Sequence, residues 1–191
     1  MSKLFRDFIT IIIMLFLNRL AFASDTVNTS ASITRPRRAP TFYTTTLAGK
    51  SFFLSKKVGP EVDKVDRKPL VLIFFTTSCI PCRVEIPIMM ELSDSFPDIN
   101  FYLVNMGEDA GKVKKFIKEM NYTFPVLMDP YGMVSSKRYE ISSAPALVII
   151  SGDGHLLYKK TGLAKNPKNH YNSLFQNIFS SQGNSGVKHN E

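Results

Sequence analysis

The chain has no tryptophan, two cysteines and three histidines among its 191 residues. Two cysteines are too few for a disulfide-scaffolded miniprotein or a four-cysteine zinc site. Acidic residues are also short, 16 against 24 lysines and arginines, which leaves a net charge of +8. No apolar run reaches the roughly 20 residues that a membrane span needs. The hydrophobic share, 44%, is too high for a disordered chain and too low for a multi-span membrane protein. The length suits one domain of ordinary size rather than two full ones.

The amino terminus reads as a targeting segment. Lys3 and Arg6 give a short basic start, and residues 8–17 form an apolar run broken only by Thr10. Ala21-Phe22-Ala23 then supplies the small-x-small pattern of a signal peptidase site. A cleaved signal peptide over 1–23 is therefore expected, and with it a periplasmic or otherwise extracytoplasmic location. Arg19, between the apolar run and the cleavage site, keeps an uncleaved membrane anchor as the other reading. No cysteine lies near the site, so a lipoprotein is excluded. Residues 24–38, rich in Ser, Thr and Arg, read as a flexible leader, and 182–191 as a polar carboxyl-terminal tail.

Export sharpens the meaning of Cys79 and Cys82. An oxidising compartment favours disulfides, but a structural disulfide stabilises chiefly by closing a long loop. A bridge across Ile80 and Pro81 closes almost nothing. A pair cycling between dithiol and disulfide is the better reading.

Hydrophobic patterning places the pair. Leu70–Phe75 is a continuous apolar run of strand length, as a central strand covered on both faces requires. An apolar helix follows over residues 84–92. Residues 101–104 and 124–127 read as further short strands, and residues 52–54 as another. Val113, Phe116, Ile117 and Met120 recur at helical spacing. Residues 146–150 and 156–158 flank Ser151-Gly152-Asp153-Gly154 as a β-hairpin. Tyr171, Leu174, Phe175, Ile178 and Phe179 mark a last helix with one apolar face. Strands and helices alternate, and a hairpin closes the sheet, which predicts an α/β domain with a mixed sheet over 39–181.

A strand that runs into Cys79 and then a helix puts the first cysteine at the helix amino terminus. Unpaired N–H groups and the helix dipole favour an anion there, and the thiolate is the reactive form. Lowering a thiol pKa from about 8.5 to about 7 raises the thiolate fraction at neutral pH roughly 16-fold, while lost basicity returns about 5-fold. The net gain in attack is therefore small, and a larger shift mainly makes the sulfur a better leaving group. Cys82, one turn on, is expected to be the more buried, resolving thiol.

The segment Phe74-Phe75-Thr76-Thr77-Ser78-Cys79-Ile80-Pro81-Cys82-Arg83-Val84-Glu85-Ile86-Pro87 resembles the active-site segment of the thioredoxin superfamily, in its exported TlpA/ResA/CcmG-like branch. Ala39-Pro40-Thr41-Phe42 and Leu47-Ala48-Gly49-Lys50 are similar to that branch's amino-terminal signature, and residues 124–129 to its central strand. Ala144-Pro145-Ala146 and Gly152-Asp153-Gly154 resemble its cis-proline loop and following hairpin. The resemblance implies a thioredoxin fold: a central mixed β-sheet flanked by helices, with an amino-terminal strand extension. It implies that Cys79 and Cys82 are catalytic, that Pro145 is a cis-proline presenting the Ala144 backbone to an extended substrate, and that Pro87 kinks the active-site helix. Glu85 matches the branch's acidic residue near the cysteines. Ile73 holds the place of thioredoxin's buried Asp, which makes Glu85 the local candidate for moving a proton to or from Cys82. Ser78, Ile80 and Pro81 complete the substrate-binding set.

The sequence departs from the branch at three places. Phe75 and Ser78 stand where tryptophan is usual, and Ser78 removes a flat apolar surface beside the nucleophile. Ala146 stands where the CcmG type has Glu, which weakens a link to cytochrome c maturation. Thr76-x-x-Cys79 is similar to a peroxiredoxin motif, but Leu72 occupies its proline position. A copper-binding Sco-like module needs CxxxC and a partner histidine, and His155, His170 and His189 show no ligand pattern. Lys112, Lys114, Lys115 and Lys118 read as a solvated helix face.

The expected function is an exported thiol–disulfide oxidoreductase acting as a reductant of protein disulfides. It has no cofactor beyond the redox-active Cys79–Cys82 disulfide, no metal and no nucleic-acid partner. Its partners are a disulfide-containing exported protein and a membrane thiol donor of the DsbD/CcdA kind. The reductant assignment rests on Ile80-Pro81, which lacks the histidine of DsbA-type oxidants, and on Glu85. The alternatives are an oxidase or isomerase of the same fold, or a redox-sensing or copper-delivery protein without turnover.

Overall fold

The computed structural model describes residues 37–179. The expected signal peptide, most of the leader and the polar tail lie outside the described residues. The leader's last two residues, Arg37 and Arg38, are held against the closing hairpin. The Arg37 carbonyl accepts from Leu156 N–H at 2.8 Å, and Arg38 forms a bridge with His155.

The layering follows from one central, fully buried strand. Strand β3, Leu70–Phe75, is buried at every residue. Alternation sends Val71, Ile73 and Phe75 to one face and Leu70, Leu72 and Phe74 to the other. Its neighbours are β4 (Asn100–Met106), parallel to it, and β6 (Ala146–Ile150), antiparallel. β5 (Val126–Asp129) runs parallel to β4 on the far side. The hairpin β1 (Tyr43–Thr46) and β2 (Ser51–Phe53) extends that edge, and β7 (Leu156–Thr161) extends the other. The seven strands lie in the order β2-β1-β5-β4-β3-β6-β7.

Three helices cover the first face: α1 (Cys82–Ser95), α2 (Ala110–Glu119) and α3 (Pro167–Phe179). Ile86 and Met89 of α1, Val113 and Phe116 of α2, and Tyr171 and Phe175 of α3 share one cluster with Phe75 and both cysteines. Phe175 stacks on Phe101 with ring centroids 5.9 Å apart and meets Phe96 at 5.5 Å. On the other face Phe42, Phe52, Leu54, Val134, Tyr139 and Ile141 pack against the sheet. Met89 is buried in the cluster that holds the cysteines, whereas its neighbour Met90 is only half-buried.

This is an α/β thioredoxin-like fold with an amino-terminal hairpin. Not read from the sequence were the threonine-rich β1, the 3-10 turns Leu54–Lys56 and Lys64–Asp66, of which the first takes Leu54 out of the strand expected at 52–54, and a π-helical turn over Met133–Arg138. The turn is held by the buried Asp129 carboxylate, which accepts from Val134 N–H at 3.0 Å and from Ser135 N–H and Oγ at 2.7 Å each. The strand expected at 124–127 lies two residues later, because β4 pairing begins at Val126.

Candidate active site

Every parallel strand ends at the same edge of the sheet. Phe75 is level with Asn105, and Met106 with Asp129. The loop after β3 therefore emerges beside the loop after β4. Antiparallel β6 starts at this edge as well, since Ala146 pairs with Phe74.

Cys79 and Cys82 are disulfide-bonded, with Cα atoms 5.3 Å apart. Cys82 is the first residue of α1, so its N–H is one of the helix's unpaired donors. That N–H points to Cys79 Sγ at 3.2 Å. The contact and the helix dipole both favour negative charge on Cys79 once the bond opens. Cys79 retains 9% exposure and Cys82 none, so the first cysteine is the more accessible of the two. Ser78, Ile80 and Pro81 are exposed around the pair. The Ala144–Pro145 peptide is cis. Pro145 is buried at the start of β6, and Ala144 packs against the cluster that contains both cysteines.

Glu85 is buried on the face of α1 that carries Cys82. Three-residue spacing makes the two side chains neighbours. One carboxylate oxygen accepts a hydrogen bond from the Tyr171 hydroxyl of α3, and Oε2 has no partner among the described residues. Burial pushes the Glu85 carboxyl above the ordinary range, against the opposing pull of the Tyr171 hydroxyl and the Lys160 charge. Burial beside Glu85 also raises the Tyr171 phenol. The Tyr158 hydroxyl, raised by burial and then by Glu85, lies 3.1 Å from His170 Nε2. Phe75, in a tryptophan position, stacks on Phe116 at 6.1 Å, and Arg83 lies over the same Phe116 ring. Ser78 contributes only an exposed hydroxyl, 3.3 Å from that of Thr76.

The loop before the nucleophile is latched by a residue that sequence reasoning missed. Glu108, after β4, accepts from Thr77 N–H and from Thr77 Oγ1, each at 2.7 Å. It also accepts from Asn105 Nδ2 at 2.7 Å and Lys112 Nζ at 2.8 Å. Arg83 reaches the Thr77 carbonyl at 3.4 Å. The available signal was Asn105, a polar residue directly after the apolar run Leu103-Val104, which the structure buries fully.

Burial alone would raise the Glu108 carboxyl, but the bonds from Lys112, Asn105 and Thr77 outweigh it and hold it at about 2. A folded-state value below the unfolded one adds stability above pH about 4.5, and that stability is lost as pH falls toward about 2. The contribution is on the order of 2–3 kcal/mol. Glu108→Gln is expected to flatten the acid decline of the urea midpoint across this window. A decline as steep as wild type would show that the latch contributes no such linkage.

No group of three or more His, Cys, Asp or Glu side chains among the described residues is arranged to hold a metal. A disulfide pair at a helix amino terminus, at the carboxyl edge of parallel strands in this sheet, defines a thioredoxin-like thiol–disulfide oxidoreductase. Residues 37–159 match the AhpC/TSA family, and the chain belongs to it. It is 30% identical over 128 residues to the thiol-disulfide oxidoreductase ResA of Bacillus thuringiensis subsp. konkukian, covering 66% of this chain and 69% of that protein. Sporulation thiol-disulfide oxidoreductase A of Bacillus subtilis is 29% identical over 117 residues, covering 58% and 70%. The soluble secreted antigen MPT53 of Mycobacterium tuberculosis is 30% identical over 113 residues, covering 59% and 60%.

Among solved structures, a thioredoxin-family thiol:disulfide interchange protein from Chlorobium tepidum superposes with a TM-score of 0.59 at 24% identity, over 74% of this chain and 95% of that one. A secreted Mycobacterium tuberculosis disulfide oxidoreductase gives 0.56 at 25%, over 69% and 95%. The redox-active group is the Cys79–Cys82 disulfide, and two of these similar proteins, MPT53 and the Mycobacterium tuberculosis disulfide oxidoreductase, are secreted.

Proposed function

We propose that the protein is an exported reductant of protein disulfides. The observation that carries this reading is the asymmetry of the pair: a more accessible Cys79 above a fully buried Cys82, with the buried Glu85 carboxyl one turn behind. The Cys79 thiolate attacks a substrate disulfide, forming a mixed disulfide and releasing one substrate thiolate, which takes up a proton. Glu85 accepts the Cys82 proton. The Cys82 thiolate then attacks Cys79 Sγ, closes the intramolecular disulfide and releases the second substrate thiolate. A carboxyl with raised proton affinity is better matched to a thiol than an ordinary one. Ser78, Ile80 and Pro81 flank the bound substrate, and Ala144 and Pro145 offer it backbone.

The neutral Ile80-Pro81 pair supports the reducing direction, because it adds no donor that over-stabilises the Cys79 thiolate. Export through a signal peptide over 1–23 agrees with the secreted relatives. A reductant in an oxidising compartment must be recharged by a dithiol donor, of the DsbD/CcdA membrane kind. The test is the reduction potential of the Cys79/Cys82 couple. A value near −270 mV, about that of thioredoxin, is expected; one near −120 mV, about that of DsbA, reverses the direction and makes the protein an oxidant.

A further inference from the structure

The Cys79–Cys82 bond fixes the first sulfur in the oxidised state. That tether is gone in the dithiol and in the mixed disulfide, the two states in which Cys79 reacts. Its sulfur must still stay at the amino end of α1, where the helix dipole and the Cys82 N–H favour the thiolate. The loop Thr76-Thr77-Ser78 decides whether it does. Cys79 N–H donates to the Thr76 carbonyl at 3.2 Å, which closes a turn, and the Ser78 hydroxyl faces that of Thr76 inside it. These ties are local and leave the turn free to move as a unit. Thr77 joins the turn to another part of the chain. It is buried, and its N–H and its hydroxyl both donate to the Glu108 carboxylate at 2.7 Å.

Glu108 is itself held firmly. Asn105, fully buried and level with the last residue of β3, donates to Glu108 Oε2 at 2.7 Å and accepts the Glu108 N–H on its own Oδ1 at 3.3 Å. Gly107, at φ +76°, permits the sharp turn between them, a conformation strained for residues with a side chain. Lys112 closes the set with an ion pair at 2.8 Å, and the Glu108 side chain keeps 12% exposure. On charge alone a carboxylate is a poor neighbour for a thiolate, because a like charge disfavours the ionised form. Its place beside the nucleophile's loop is explained by position instead. We propose that Glu108 is a positioning residue for the redox reaction: through Thr77 it holds the Cys79 sulfur at the helix amino terminus whenever the disulfide is open. The inference deepens the reading of this protein as a reductant of protein disulfides and rests on it.

The test is alkylation of the reduced proteins by iodoacetamide across pH, read from the labelled Cys79 peptide. Glu108→Gln removes a negative charge, so electrostatics alone would favour the thiolate and lower the midpoint. Loss of positioning acts the other way. The midpoint is expected to rise by about one pH unit, which slows alkylation below it by about tenfold. A purely structural role would reduce stability and leave the midpoint in place. Thr77→Val removes one donor and no charge, and is expected to raise the midpoint by less. Thr77→Ser keeps the donor and is expected to titrate like wild type. A lowered midpoint in Glu108→Gln, unchanged midpoints in Glu108→Gln and Thr77→Val, or equal shifts in Thr77→Val and Thr77→Ser overturn the proposal. If Glu108→Gln does not fold, Thr77→Val against Thr77→Ser decides it. Reduction of insulin by the reduced wild type judges the other reading separately. A wild type that is alkylated but reduces no disulfide overturns the reductant, and the midpoints still decide the latch. A wild type that reduces insulin beside unshifted variants overturns the latch and leaves the reductant.

Discussion

Cys79→Ser is expected to abolish disulfide exchange, a loss on the order of 10³-fold or more. Cys82→Ser is expected to stop the reaction halfway. The difference follows from exposure: Cys79 reaches the surface and Cys82 does not. With Ser at position 82, Cys79 still attacks and forms the mixed disulfide, but nothing resolves it. Non-reducing electrophoresis after incubation with a disulfide protein should show a covalent adduct for Cys82→Ser and none for Cys79→Ser. Adducts of equal yield from both variants would mean that either sulfur can initiate, and the ordering of the two roles would be lost. Global stability should change little in either variant, because the bridge closes a loop too short to restrict the unfolded chain much.

Glu85→Gln is expected to slow the resolving step on the order of 10²-fold and, at neutral pH, to stabilise the fold. Both follow from one carboxyl. Its proton affinity in the folded state is raised, first by burial, with Tyr171 and Lys160 pulling the other way. A raised folded-state pKa favours folding fully below the unfolded value, near 4.5, and that advantage is lost as pH rises through the folded value. Above the unfolded value the wild type bears the cost of burying this carboxyl, which the amide does not. The amide also cannot take the Cys82 proton, and proton transfer of this kind is worth about 10²-fold to 10⁴-fold. Tyr171→Phe removes the one hydroxyl bonded to the carboxylate and should move the midpoint of the pH–rate profile upward. Release of product from a preformed mixed disulfide, followed across pH, reports the rate. Wild-type release by Glu85→Gln at every pH would remove Glu85 from the proton path.

The strand and helix flanking the cysteines were legible because their signals are local. Leu70–Phe75 is apolar throughout, and the helix after it repeats apolar residues on one face. The cysteines and Glu85 were legible by spacing. Strand β1 was not, because Tyr43-Thr44-Thr45-Thr46 has little apolar alternation and owes its conformation to pairing with β2 and β5. The π-helical turn depends on the Asp129 side chain rather than on its own residues. The Glu108 latch joins positions 31 residues apart, and the Tyr171 hydrogen bond joins positions 86 apart. Tyr171 has the periodicity of a core residue, and only its hydroxyl distinguishes it from phenylalanine.

The two border strands bear on how the protein behaves in a crowd. An edge strand offers unpaired amides and carbonyls to any other chain with a matching edge. Here one border, β2, is three residues long. The other, β7, carries Lys159 and Lys160 in sequence, with the Lys159 ammonium turned onto the Tyr139 carbonyl. Brevity on one side and charge on the other oppose edge-to-edge polymerisation. Both borders of the described sheet are thus poor templates for a further strand, from a second copy of this chain or from any other.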